Sequence, residues 1–216
     1  MSPPIARPEA TGPVPGLPVK SSRVPGRGRK LMELPEEKAM SAPIPENETQ
    51  RLEELDSYQI LDTMSEQAFD DITALASYIC QTPIALMSLV DRDRQWFKSA
   101  VGYDVPETHR DLAFCAHAVW DPSEMLVVED AASDPRFSSN PLVRNDPQIR
   151  FYAGAPLLTS SGNALGTLCV IDRVPRELTQ GQLDSLEALS RLVMAQMEMR
   201  KTLLRLDPDQ AEEEAA

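Results

Sequence analysis

The chain has 216 residues, 42% of them hydrophobic, with 19 prolines and a formal net charge of −13. That length suffices for one medium domain with appendages, and no window approaches the ~18 apolar residues of a membrane span. Residues 1–40 balance at +3 and the remainder at −16, which argues against a nucleic-acid partner for the folded part, because phosphate contacts need Lys and Arg.

Residues 1–46 hold ten of the prolines and almost no apolar periodicity, so a disordered Pro-rich tail is predicted there. The one basic cluster, Arg23 to Lys30, reads as a solvated tail in preference to an anionic-surface tether. No apolar h-region of a secretory signal follows the N-terminus. Three cysteines, an odd number lying in apolar stretches, suit a reducing compartment. A cytoplasmic location is expected.

The ordered part is predicted over 47–205. A helix is expected at Glu48–Tyr58, with Asn47 as its N-cap and Leu52, Leu55 and Tyr58 at spacings of three. A second follows at Glu66–Ile79 behind Ser65, its stripe being Phe69, Ile72, Leu75, Ala76 and Ile79. Pro83 opens a strand, Ile84–Asp91; Asp91-Arg92-Asp93 turns the chain, and Gln95–Val101 returns it. Leu112–Trp120 reads as a short helix and Leu126–Glu129 as a strand. Asp130–Asn145 is a long polar connection, the kind that covers a ligand or carries function.

Two apolar runs, Tyr152–Leu158 and Leu165–Asp172, flank the turn-forming Thr159–Asn163. They predict a hairpin near the sheet centre. Gly154 and Gly166 sit inside its strands, and glycine there often marks a close approach to the backbone, by a ligand or by a covering lid. Thr179 then caps a helix to about Arg205, with Leu183, Leu186, Leu189, Val193, Met197 and Leu204 approximating a heptad seam. Residues 206–216 form an acidic tail predicted to be disordered. The order predicts an α+β fold: an antiparallel sheet, terminal helices on one face, and the short helix and long connection on the other, roofing a pocket.

Cys115 and His117 are the tempting chemical pair, yet i and i+2 on a helix point to different faces. No metal site is expected, since zinc wants about four ligands, and no catalytic residues are assigned. Trp96 alternates with Arg94 and Lys98, which fits a half-buried sheet aromatic, a pocket wall or a dimer contact. Arg136 and Arg150 suit either an anionic ligand or pairing with the surplus carboxylates. Asp134-Pro135 sets a turn that Phe137 plugs.

Five pieces in order carry a resemblance. They are Pro83-Ile84-Ala85 through Arg94-Gln95-Trp96-Phe97-Lys98-Ser99; Asp111 to Val119; Val127 to Ala131 with Asp134-Pro135-Arg136-Phe137 and Asn140-Pro141-Leu142-Val143; Tyr152 to Pro156; and Gly166 to Asp172. Together they resemble a GAF domain, nearest to those of bacterial sensor histidine kinases and of diguanylate cyclases and phosphodiesterases. The resemblance implies a GAF-like antiparallel sheet of five or six strands, a small-molecule or protein-interaction pocket, and a homodimer through the terminal helices. Pocket candidates are Trp96, Phe114, Cys115, His117, Asp130, Arg136, Phe137, Tyr152 and Cys169. The ligand stays unidentified. Haem is not expected, and neither is bilin, because bilin-binding members place His directly after the Cys and here Ala116 intervenes. The expected function is a sensory signalling domain that passes its output to a separate kinase or cyclase. Alternatives are a ligand-free interaction module, or a cysteine-based methionine sulfoxide reductase using Cys80, Cys115 or Cys169, whose surroundings lack that subfamily's glycine-rich pattern. The expectation is that the protein is not an enzyme.

Overall fold

The computed structural model describes residues 41–206. Strands β1 (Ile84–Val90) and β6 (Ala164–Asp172) are buried at every position. A strand buried on both faces must lie inside a sheet covered on both sides, and these two are the central neighbours. With β2 (Arg94–Val101), β3 (Glu107–His109), β4 (Leu126–Val128) and β5 (Phe151–Leu158) they form one sheet in the order β3-β2-β1-β6-β5-β4. All five pairings are antiparallel. Both predicted hairpins are present, and β5–β6 is central as expected. β3 was not predicted; its three residues, Glu-Thr-His, carry no alternation that a sequence pattern could register.

Side chains alternate across the sheet. Ala85, Met87, Leu89, Ala153, Ala155, Leu168 and Val170 face one core. There α1 (Glu48–Asp56), α2 (Gln67–Cys80) and α5 (Gln180–Leu206) pack. Ile84, Leu86, Val90, Tyr152, Cys169 and Ile171 face a second core with α3 (Phe114–Trp120) and α4 (Pro141–Arg144). This is the predicted α+β arrangement.

Boundaries differ where a tertiary contact outcompetes a local one. Asn47 stands at the N-cap of α1, but its amide donates to Asn163 Oδ1 at 2.5 Å and makes no cap bond. Glu66, not Ser65, precedes α2, and its carboxylate is held by Lys98 and Arg200. The predicted Leu112–Trp120 helix is split: Arg110–Leu112 is a 3-10 turn and α3 starts after Ala113. Inside the predicted loop, Asn140 Oδ1 accepts from Leu142 N at 2.9 Å and caps α4, with Pro141 at its first position. Thr179 caps α5 as expected, accepting from Gln182 N at 3.4 Å.

The apolar seam of α5 was expected to lie across a two-fold axis. Instead Leu186, Leu189, Val193 and Met197 are buried in the protein's own core. The stripe completes the core that α1 and α2 share on that sheet face. The expectations for residues 1–40, including the basic cluster, and for 207–216 lie outside the described residues. Of the remainder, Pro45 is buried, and Ala42 packs against the second core.

One buried ion cluster ties α1 to the rest. Glu48 accepts from Arg51 Nε and Nη2, each at 2.8 Å, and from Arg110 Nη1 at 2.5 Å. Arg51, fully buried, also donates to Val90 O at 2.7 Å. Burial alone would raise the Glu48 pKa, but the two guanidinium groups outweigh it and hold it at about 2, against 4.5. A depressed carboxylate pKa contributes stability above the unfolded pKa that is lost as pH falls through the folded one. Glu48→Gln should therefore cost roughly 2–3 kcal/mol at neutral pH, read by thermal unfolding. The gap to wild type should close between about pH 4.5 and 2; a pH-independent gap would contradict the assignment.

Candidate functional site

Tyr152 of β5 and Gly154, two residues on, share one face of the strand. A Cβ built on Gly154 would lie 2.2 Å from the Tyr152 hydroxyl, so what approaches this glycine is the protein's own phenol. At Gly166 a Cβ would meet Ser88 O of β1 at 1.9 Å. The small residues thus make room for strand and tyrosine, neither for a ligand nor for the lid.

The seated Tyr152 ring supports a stack. Phe114 of α3 lies 5.2 Å from it, and Phe137 of the lid lies 4.0 Å from Phe114 at an interplanar angle of 9°. Phe137 is fully buried, the predicted plug. Little space remains between sheet and lid: a cavity of about 20 Å³, bordered by Gln95, Phe97, Tyr103, Thr108, Phe114, Cys115 and Tyr152, large enough for about one water. Gln95 and Thr108 are cross-strand partners. Gln95 Oε1 and Thr108 Oγ1 are buried without a hydrogen-bond partner, although native proteins pair nearly all such atoms.

Beneath the stack is a polar island in an apolar layer. Cys115 Sγ accepts from Thr167 Oγ1 at 3.0 Å and from Tyr152 Oη at 3.3 Å, and lies 3.9 Å from Cys169 Sγ. Ser88 Oγ stands 3.2 Å from Thr167 Oγ1. Burial pushes the Cys115 thiol up, but bonds from Cys169, Ser88, Thr167 and Tyr152 outweigh it and hold it below the ordinary thiol range. Cys169 is pushed above that range by its interaction with Cys115 and by burial. Burial first, then the neighbouring thiols, raises Tyr152.

Phe114, Cys115, Phe137, Tyr152 and Cys169 of the candidate set therefore meet in this layer. His117 lies at its margin, its ring edge-on to Phe137 at 4.8 Å; it and Cys115 diverge as the helical spacing demands. Three candidates are corrected. Trp96 belongs to the opposite core, with α1, α2 and α5, because its neighbour Phe97 takes the pocket side. Asp130 accepts from Ala132 N and Ser133 Oγ and closes a lid turn. Arg136 pairs with Asp134 at 2.7 Å and covers the outside of Phe137. Arg150 spends its guanidinium on the carbonyls of Val143 and Ile149. Cys80 sits in the opposite core, where burial raises its thiol to about 11. Among the described residues no cluster of three or more His, Cys, Asp or Glu is placed to hold a metal.

Ser88, Gln95, Thr108 and Thr167 were not singled out from sequence. Ser88 and Thr167 carried a signal: each is a hydroxyl on the pocket-facing parity of an otherwise apolar strand. Gln95 and Thr108 carried none, since their burial depends on β3 pairing with β2.

A family model described as "GAF domain" matches residues 65–197. A cyclic di-GMP phosphodiesterase of Pseudomonas aeruginosa is 43% identical over 166 residues, which cover 76% of this chain and 28% of that protein. Among solved structures, the GAF domain of an Acinetobacter phosphoenolpyruvate-protein phosphotransferase superposes with a TM-score of 0.53 at 13% identity, covering 75% of this chain and 96% of the other. The free methionine-R-sulfoxide reductase of Neisseria meningitidis gives 0.52 at 16%, covering 77% and 99%. At such identities the two structures establish the fold alone.

Two substitutions test the layer. Gly154→Ala would overpack the Tyr152 hydroxyl and should cost about 1–3 kcal/mol, although alanine is the better strand residue. Phe137→Ala should cost about 3–5 kcal/mol and raise binding of a hydrophobic dye. Both are read by denaturant unfolding; an unchanged midpoint in either would contradict the packing described.

Proposed function

This chain belongs to the GAF domain family, and we propose that it is a sensory or regulatory module that works as a homodimer through the outward stripe of α5. The supporting observation is a second apolar stripe on that helix. Leu192, Met199, Leu203 and Leu206 are each more than half exposed, at spacings of seven, four and three, with exposed Ala195 between them. That is a heptad-like seam on the side opposite the one buried in the core, and a two-fold pair of such seams is self-complementary. The helix runs 27 residues, roughly 40 Å at ~1.5 Å each, and packs directly on β5 and α2. A change in the layer around Tyr152 thus reaches the dimer seam through β5.

Output passes to a partner. The similarity to a phosphodiesterase, of which this chain spans 28%, supports cyclic-dinucleotide turnover as the output class; a partner kinase or cyclase would read the same seam. The module is non-catalytic in this reading. Burial of Cys115 and Cys169 beneath Phe114 and the lid supports that, because about 20 Å³ is far too little for methionine sulfoxide. Three free cysteines fit a cytoplasmic, reducing setting, and no helix among the described residues is long and apolar enough to cross a membrane.

A second reading, small-molecule sensing, has one specific support: the unpartnered Gln95 Oε1 and Thr108 Oγ1 at the cavity. A ligand larger than water would need side chains that line the cavity, such as Phe114 and Leu142, to move apart. Native mass spectrometry of protein from its host checks this, a retained small molecule being the positive result.

The dimer is checked by light scattering at micromolar concentration. Wild type should be dimeric, and the Leu192→Glu/Met199→Glu protein monomeric with an unchanged circular dichroism spectrum. A monomeric wild type would sink the proposal.

A further inference from the structure

We propose that Cys115 and Cys169 form a peroxide-responsive thiol pair, oxidised reversibly to a disulfide inside the layer between sheet and lid. The geometry carries it. Their sulfurs are 3.9 Å apart on α3 and β6, elements that pack directly on each other. Thr167 and Tyr152 aim hydroxyls at Cys115 Sγ from 3.0 and 3.3 Å. Two thiols and the three hydroxyls of Ser88, Tyr152 and Thr167 gather in one place within an otherwise apolar core. What such donors do is solvate a sulfur anion, the reactive form of cysteine. Cys115 also borders the small cavity, where the unpartnered Gln95 Oε1 and Thr108 Oγ1 offer polar contacts. A cavity of about 20 Å³ suits an uncharged oxidant little larger than water, such as hydrogen peroxide, and excludes bulky ones.

The chemistry balances with hydrogen peroxide as the oxidant. The Cys115 thiolate attacks one peroxide oxygen. The S–O bond forms, the O–O bond breaks, and the departing hydroxide takes the proton that Cys115 released, giving water and a sulfenic acid. Cys169 then loses its proton and its sulfur attacks Cys115 Sγ. The S–S bond forms and the S–O bond breaks, releasing the second water. Two thiols lose two electrons in all, and a small dithiol reductant reverses the reaction. A disulfide needs sulfurs about 2.0 Å apart, so closing the 3.9 Å gap draws α3 toward β6. Phe114, the preceding residue on α3, then pulls away from Phe137 and loosens the lid. Cys80 takes no part, being in the opposite core with its thiol pushed up.

The pair is independent of the proposed dimer and of any retained ligand. The test treats the full chain with hydrogen peroxide, then denatures it, alkylates the free thiols and maps them by mass spectrometry. Wild type should fall from three alkylated cysteines to one, at Cys80, with a Cys115–Cys169 linked peptide that dithiothreitol removes. Cys80→Ser should fall from two to none. In Cys169→Ser a dimedone adduct should appear on Cys115. Amide exchange should quicken across residues 130–145 in oxidised wild type. Three alkylated cysteines after treatment of folded protein, or oxidation mapped to Cys80 first, would overturn the proposal. Because the wild-type map decides by itself, a variant that fails to fold leaves the test intact.

Discussion

The hydroxyl of Tyr152 lying over the bare Cα of Gly154 is the contact on which the pocket side of this protein depends. Any side chain at 154 would displace the phenol. With the ring seated, Phe114 can tilt onto it and Phe137 can stack on Phe114. Phe137 in turn anchors a lid whose own turns are closed by Asp130, Asp134 and Asn140. The same hydroxyl bonds Cys115. One glycine therefore sets both how full the pocket is and how its thiols are solvated.

The sheet has two cores because its central strands are apolar on both faces. The pocket core carries the Tyr152–Phe114–Phe137 stack and a few hydroxyls. The opposite core, with Tyr58, Phe69, Trp96 and Phe151 among its aliphatic side chains, is covered by α1, α2 and α5. Arg200 of α5 bridges Glu66 and the carbonyls of Tyr58 and Gln59, while Arg51 ties α1 to β1 and Glu48 ties it to the 3-10 turn. These buried charges fix how the helices sit on the sheet; breaking such a pair costs far more than forming it gains. A helix held so firmly along one side presents a defined stripe on the other, which is why α5 carries both a core seam and a free one.

Much of the fold was legible in the residues. Both hairpins, four of the five α-helices and the plug at Phe137 follow from alternation, periodicity and turn chemistry. Two of the short elements, β3 and α4, did not, because their stability comes from neighbours and not from their own pattern. Among candidate site residues, those on α3 and on the pocket parity of β5 and β6 came together. Trp96 failed by one residue of strand register, since in a strand a single step exchanges the faces. Asp130 and Arg136 lie outside the layer because charged lid residues found partners within two or three positions, a local pairing that the sequence pattern did not reveal.

The sequence by itself determined the α+β architecture, through hydrophobic period along the chain, and its family, through five motif pieces in order. The tertiary structure alone decided which stripe of α5 is spent on the core, what the glycines accommodate, and that Cys115 and Cys169, 54 positions apart, are neighbours. Those are properties of faces and distances, and no one-dimensional pattern encodes which of two apolar faces meets the sheet first.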